Sequence, residues 1–411
     1  MGLFVSSKKE KETWASIVLS GIKPGMQIDD ALLEKVADIY INQHGILMEA
    51  LWNGTIVFLI EAVIQLHGSV KSCFILIVDE QGCVRLVNDI PFPEPGDYEA
   101  LVKVECCMIC NGTDMEIIQK KLEETTRYPL VLGHEGVGVV VKTGKKVRNI
   151  KVGDRVLRVS LPDSEKYYSG WGSFAEYAIV KDGKAMIEDH VDVQEGYGAL
   201  SQQVVDKDIT PEQASLMITL KETCSALRRI QLKETDQILI VGDGPVGLSF
   251  LNNLNYMGIK NVDLIGNRKM SLEVAHNLGV RDTFWNKDEE DKARMLTKKY
   301  DVYIDTVGNK STITQGTRVL CEDGILAIYG LRTGDELSVP IKGIRNITIK
   351  MLQWPIPIEE EKTHNYIQEG IRCGKLKTKE LITHRFSLDN YESGFLAIQN
   401  KKALKVNILF S

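Results

Sequence analysis

Three cysteines fall within five positions in the stretch ECCMICNGTD, residues 105–114. Cys106, Cys107 and Cys110 admit three chemistries: thiolate ligands for a metal ion, a Cys107-x-x-Cys110 redox pair, or small apolar core residues. A thioredoxin-type pair needs a surrounding βαβ unit, and none is read around it. A second group suits nucleotide chemistry: Gly242, Gly244 and Gly247 form G-x-G-x-x-G directly after the apolar run Ile238 to Val241. The first glycine permits a tight turn, the second lets backbone approach a pyrophosphate, and the third lets a helix pack close on the strand. Pro245 and Val246 belong to the same GDGPVGL string, which leads into a helix whose first N–H groups face the phosphates.

The strand after this motif bears on the choice of nicotinamide cofactor. An NAD site usually carries an acid at the strand tip to bind the ribose 2′-hydroxyl. Here the chain reads DLIGNRK, with Asp263 inside the strand and Gly266, Asn267, Arg268 and Lys269 at its tip. Gly266 leaves room for a 2′-phosphate, and Arg268 can hold it with charge-assisted hydrogen bonds. NADP(H) is expected in preference to NAD(H).

The elements that must position these residues differ along the chain. Residues 1–70 read as a helical extension of unknown role, with Leu32, Leu33, Val36, Ile39 and Tyr40 on one face. From 71 to 215 short apolar runs alternate with Gly and Pro, which predicts strands and a small barrel. From 216 to 345 strands alternate with helices, as in a parallel α/β sheet. Residues 346–411 return to mixed texture and end on the strand-like ALKVNILF.

Composition narrows the class. With 44% hydrophobic and 26% charged residues the 411-residue chain reads as an ordinary soluble globular protein. A net charge of -6 argues against a nucleic-acid surface. The apolar segment 51–70 has an unbroken run only from Ile56 to Ile60, too short for a membrane span of about 20 residues. The eight cysteines are scattered and MGLFVSSKKEKE lacks a signal-peptide core, so thiols in a cytoplasmic setting are expected.

Further motifs give a resemblance. Cys110 to Asp114, Gly133-His134-Glu135, Gly153-Asp154-Arg155-Val156, GSFAEYAIV and LITHRFSLDNYESGF occur in one order. With FPEPGDYEALVKV and the glycine motif, this order is similar to that of the zinc-containing medium-chain alcohol and polyol dehydrogenases, over residues 71–411. The resemblance implies a GroES-like barrel from 71–215 and 346–411, a Rossmann NADP-binding domain from 216–345, and a cleft between them. It implies one catalytic zinc held by Cys110 and His134, with Glu135 as ligand or close neighbour. Thiolate and imidazole suit that ion, and an open position suits catalysis. It also implies a proton relay starting at Thr113, an acid beside the metal at Asp114, a nicotinamide ring near Val307 and Gly308, and a homo-oligomer, dimer or tetramer.

Three departures are visible. The usual Cys-Gly-Thr-Asp string carries an extra residue, Asn111, between Cys110 and Gly112. Ile218 stands where the family has a third protein ligand, with Glu222 one turn later. No cysteine follows Val156 before GSFAEY, so no structural zinc is expected. The expected activity is hydride transfer between NADP(H) and a secondary alcohol or polyol, or its ketone. Two alternatives stand beside it: a zinc-free NADPH-dependent quinone or enoyl reductase, and a non-catalytic nucleotide-binding protein.

Overall fold

The computed structural model describes residues 73–122, 125, 127–330, 339 and 346–410. The helical extension expected over 1–70, including the apolar segment 51–70, lies outside the described residues. The Gly- and Pro-punctuated half gives β1 (Cys73–Val78), β2 (Val84–Ile90), β3 (Glu99–Ile109), helix α1 (Thr113–Ile118), β4 (Leu130–Val131) and β5 (Glu135–Thr143). It continues with β6 (Arg155–Leu157), β7 (Tyr168–Ser169), β8 (Tyr177–Lys181), the short helices α2 (Gly183–Glu188) and α3 (Val193–Ala199), and β9 (Val204–Val205).

Helix α4 (Pro211–Ile230) follows and runs 20 residues. It opens on a capping box in which the Thr210 hydroxyl accepts from the Gln213 N–H and the Gln213 side chain accepts in return. Pro211 fits the first turn, where its missing N–H costs nothing. Most of α4 is buried, because it packs on β3 and β5 and also on the helix of the glycine motif.

Beyond α4 the texture switches as expected. β10 (Ile238–Val241), α5 (Pro245–Tyr256), β11 (Val262–Gly266), α6 (Lys269–Leu278), β12 (Asp282–Trp285) and α7 (Glu289–Leu296) alternate. So do β13 (Tyr300–Asp305), α8 (Lys310–Val319), β14 (Leu320–Ile328) and β15 (Thr348–Met351). The strands form one parallel sheet in the order β12-β11-β10-β13-β14-β15. Every residue of β10 is buried, as a strand covered on both faces requires. The chain winds outward from β10 in both directions, so a crevice opens beyond the carboxyl ends of β10 and β13.

The chain then returns to the barrel through α9 (Pro357–Glu361), α10 (His364–Arg372), β16 (Ile382–Ser387), α11 (Tyr391–Gln399) and β17 (Lys405–Leu409). β17 pairs antiparallel with β3, Val406 opposite Ile109. The larger barrel sheet runs β16-β17-β3-β5-β6-β9, with β8 on β3, and the smaller one β2-β1-β4-β7. The α/β class, a GroES-like barrel beside a Rossmann sheet, is thus what the described residues form.

Successive residues of β3 face opposite sides. Cys106 joins the core that includes Met108, Val137 and Ile238, whereas Cys107 packs with Ile109, Leu132 and Val406. Burial pushes both thiols well above their ordinary pKa. These two cysteines are packing residues. Among the described residues no helix is long and apolar enough to cross a membrane.

Candidate active site and nucleotide cleft

Cys110 lies just past the end of β3, and His134 and Glu135 stand where β5 begins. Antiparallel pairing of these two strands brings distant residues together, Met108 lying opposite Glu135. The donor atoms of Cys110, His134 and Glu135 lie within 4.8 Å of one another. The Cys110 N–H donates to Asp114 Oδ2 at 2.8 Å, which fixes the cysteine against the start of α1. Asp114 Oδ1 stands 4.0 Å from His134 Nδ1, and neither atom has a hydrogen-bond partner among the described residues. The ring of Trp171 packs on the imidazole with centroids 5.4 Å apart.

The local field favours a cation. Burial disfavours the imidazolium of His134, but Cys110, Asp114 and Glu135 outweigh it and raise its pKa to about 9. Burial raises the Asp114 carboxyl to about 6, against the opposing pull of His134. A largely buried, acid-rich group that brings a cysteine sulfur and an imidazole together suits a zinc ion.

Glu135 is held from three sides. Lys405, from β17, donates to both of its carboxylate oxygens at 2.5 Å. The Thr219 hydroxyl donates to Oε1 at 3.2 Å, and the Ser215 hydroxyl donates to the Glu135 carbonyl at 2.6 Å. Burial works against the Lys405 ammonium, yet Glu135 holds its pKa above the ordinary value. Ile218 is fully buried in the core of α4. Glu222 lines the same cleft but is taken by Arg158, whose Nη2 donates to it at 2.5 Å. Arg158 also forks onto Glu360 at 3.0 and 2.9 Å, and buried Lys221 stands 3.6 Å from that carboxylate. Lys405, Thr219 and Arg158 escaped the sequence reading. The one local signal was a lysine inside the apolar strand ALKVNILF.

The expected residues converge on a cleft of about 430 Å³, lined by Cys110, Thr113, His134, Glu135, Val246 and Val307 among others. Trp171 lines it too, whereas Tyr168 packs in the barrel core, its ring covered by the Arg127 guanidinium. Gly242 adopts a left-handed φ of 113°, and a Cβ there would lie 2.2 Å from Thr306 Oγ1. A Cβ at Gly247 would lie 2.0 Å from the Gly242 carbonyl, so this position closes helix on strand. Gly244 faces open space and caps α5, with Pro245 at its first position. Beyond β13, Asp305 Oδ1 accepts the Val307 and Gly308 N–H groups at 2.8 and 3.0 Å and so shapes that turn.

At the tip of β11 the structure adds a residue the sequence reading missed. The room above Gly266 is filled by Asp243, whose Cβ would lie 2.4 Å from a Cβ placed there. The Asp243 carboxylate accepts the N–H groups of Asn267 and Arg268 at 3.0 and 2.6 Å. Its other oxygen lies 3.5 Å from the Arg268 guanidinium. Lys269 turns away, its ammonium 4.3 Å over the Trp285 ring. Asn267 lines a neighbouring cavity of about 740 Å³ together with Gly242, Lys292, Val307, Lys310 and Arg318.

Known proteins match this architecture. Residues 96–188 fit the alcohol dehydrogenase GroES-like domain, and residues 245–365 the zinc-binding dehydrogenase domain. A sorbitol dehydrogenase of Ovis aries is 28% identical over 81% of this chain and 95% of its own length. An NADP-dependent isopropanol dehydrogenase of Entamoeba histolytica is 26% identical over 76% of this chain and 88% of its own. Benzyl alcohol dehydrogenase of Acinetobacter calcoaceticus superposes with a TM-score of 0.70 at 19% identity, covering 83% of this chain and all of that one.

Proposed function

The chain belongs to the zinc-type medium-chain dehydrogenases, an alcohol and polyol oxidoreductase family, and from that premise we propose an NADP(H)-dependent reaction on a secondary alcohol or polyol and its ketone. The observation that carries the reading is convergence. Cys110, His134 and Glu135 share one cleft with Val246, Thr306 and Val307 from the nucleotide side. In this reading Cys110 and His134 hold the zinc, with Glu135 offering one oxygen while the other stays with Lys405. When bound, the ion supplies Lewis-acid polarisation of the substrate oxygen. Thr113 starts the proton relay, its hydroxyl taking the alcohol proton while passing its own on to solvent, as the hydride leaves the alcohol carbon for the nicotinamide. Asp114 orients His134, and Val246, Thr306 and Val307 hold the nicotinamide against the substrate carbon. Trp171 walls the cleft on the barrel side.

The test is a metal assay on the purified protein with a substrate panel run in both cofactors. About one zinc per chain and turnover of secondary alcohols with NADP+ are expected. Ile218 at the usual ligand position favours a second reading, a zinc-free quinone or enoyl reductase. Metal-free protein that reduces those acceptors with NADPH and ignores alcohols would establish that second reading.

Arg268 supports the NADP(H) preference and Asp243 opposes it. Arg268→Ala is expected to weaken NADPH binding by about 1.5–3 kcal/mol, the worth of a charged hydrogen bond. Asp243→Asn keeps the shape but removes the carboxylate, and should improve NADPH relative to NADH by about 1 kcal/mol. Fluorescence titration reads both; an unchanged NADPH to NADH ratio in Arg268→Ala would rule out this role.

We further propose a homo-oligomer, dimer or tetramer, in a reducing cytoplasm. Strand β15, the outermost of the parallel sheet among the described residues, supports the first, with Ile349 and Met351 exposed on it, and eight free cysteines support the second.

A further inference from the structure

We propose that Arg158 is a positioning residue. Through Glu222 it pins β5, which begins at Glu135, to the end of β14, and so holds the substrate carbon at a fixed distance from the nicotinamide. The inference rests on the dehydrogenase reading above. Arg158 is the first residue after β6, where its backbone takes a left-handed φ of 55°. That conformation is unfavourable for a residue with a side chain and persists where the surroundings over-determine it. Here they do so at both ends of the residue. The Arg158 carbonyl accepts the Gln202 amide at 2.8 Å, from the wall that α3 and the turn after it form in a cavity beside the cleft. The guanidinium reaches the other way, into a cluster of Glu222, Glu360 and Lys221.

The cluster is buried and balanced, two carboxylates against two cations, each side chain at most 15% exposed. Desolvation offsets much of the attraction in such a cluster, so its value here lies in geometry. Two lines of contact leave it. Toward the metal donors, β6 pairs with β5, Leu157 opposite Val137. The residue after Arg158, Val159, donates its N–H to the Gly136 carbonyl at 3.3 Å, one position past Glu135. Toward the nucleotide, the Tyr329 hydroxyl donates to the second Glu222 oxygen at 3.4 Å. Tyr329 lies just past β14, and its ring meets Phe250 of α5 edge-on, with centroids 5.1 Å apart. The next residue, Gly330, packs so closely that a Cβ there would lie 2.4 Å from the Val307 carbonyl carbon. Arg158, Glu222 and Tyr329 thereby join Glu135 to Val307 across the cleft that all of them line. A misplacement of about 1 Å between reacting atoms can cost about 100-fold in rate, so a pin between those two ends acts on the hydride step more than on binding.

The experiment compares wild type, Arg158→Met, Arg158→Lys and the double variant Arg158→Met with Glu222→Gln. Each is run on a secondary alcohol and on the same alcohol deuterated at the reacting carbon. The double variant leaves Lys221 facing Glu360, so no buried charge is stranded and the fold is expected to hold even where Arg158→Met alone fails to fold. Its zinc content should equal that of wild type and its NADPH dissociation constant should stay within about twofold, while kcat falls about 10–100-fold. The deuterium effect on kcat should rise and become temperature-dependent, because hydride donor and acceptor no longer stand at one distance. Arg158→Lys keeps the charge but loses the fork that spans two carboxylates, so its kcat should lie between the two. A purely structural role gives the opposite result: kcat returns with stability in the double variant, and the isotope effect does not move. That result, or loss of zinc or of NADPH affinity by the folded double variant, overturns the pin and leaves the dehydrogenase reading standing. Wild type that turns over no secondary alcohol overturns both.

Discussion

Cys110→Ser is expected to reduce bound zinc from about one per chain to near zero. It should also lower kcat/KM by more than the roughly 10–100-fold that loss of an outer-sphere partner costs. The reason is ionisation. A thiolate is a soft anionic ligand, whereas a serine hydroxyl keeps its proton at neutral pH. His134 and Glu135 would remain, but two ligands, one of them sharing its carboxylate with Lys405, hold the ion far more weakly than three. Cys107→Ser provides the contrast. It places a hydroxyl among Ile109, Leu132 and Val406, which should cost about 1–3 kcal/mol of stability while the metal stays bound. Metal analysis beside urea denaturation separates the two outcomes. Retention of zinc by Cys110→Ser would remove this cysteine from the site.

The second large effect concerns Lys405. Lys405→Met keeps the length of the side chain but strands the Glu135 carboxylate, whose side chain is 3% exposed. Breaking a buried pair in this way costs about 3–5 kcal/mol, a large share of the roughly 5–15 kcal/mol that holds a domain together. The sign reverses when both charges go. Lys405→Met with Glu135→Gln leaves no buried ion, and most of the lost stability should return. Urea unfolding of the two single variants and the double gives the coupling directly. A single-variant loss below about 1 kcal/mol would show that the pair is not a buried one in solution.

Much of the architecture was legible because it is written in local spacing. The run Ile238 to Val241 and three glycines fix a strand, a turn and a helix within ten positions. Cys110, His134 and Glu135 were legible through family order, and Cys106 and Cys107 through the tendency of free thiols to be buried. The partners of buried charges were not. Nothing near Glu135 announces Lys405, and Arg158 meets Glu360 only after the chain has crossed the parallel sheet. Gly266 was read as empty space because a sequence shows which side chain is missing, not which neighbour moves in. Asp243 does so from another loop. The α3 wall was illegible for a related reason: its contacts are with surfaces, not with a periodic pattern of its own.

The pairing of β17 with β3 has a consequence in time. Glu135 and Lys405 are separated by 270 positions, while β10, β11, β12, β13 and β14 follow one another through single helices. Contacts between near neighbours in sequence close cheaply, and those across long loops wait for other structure to shorten the search. The nucleotide crevice can therefore take shape early, and the carboxylate beside Cys110 gains its counter-charge late. Until that pairing forms, the Glu135 carboxylate stands without the ammonium that balances it in the folded chain.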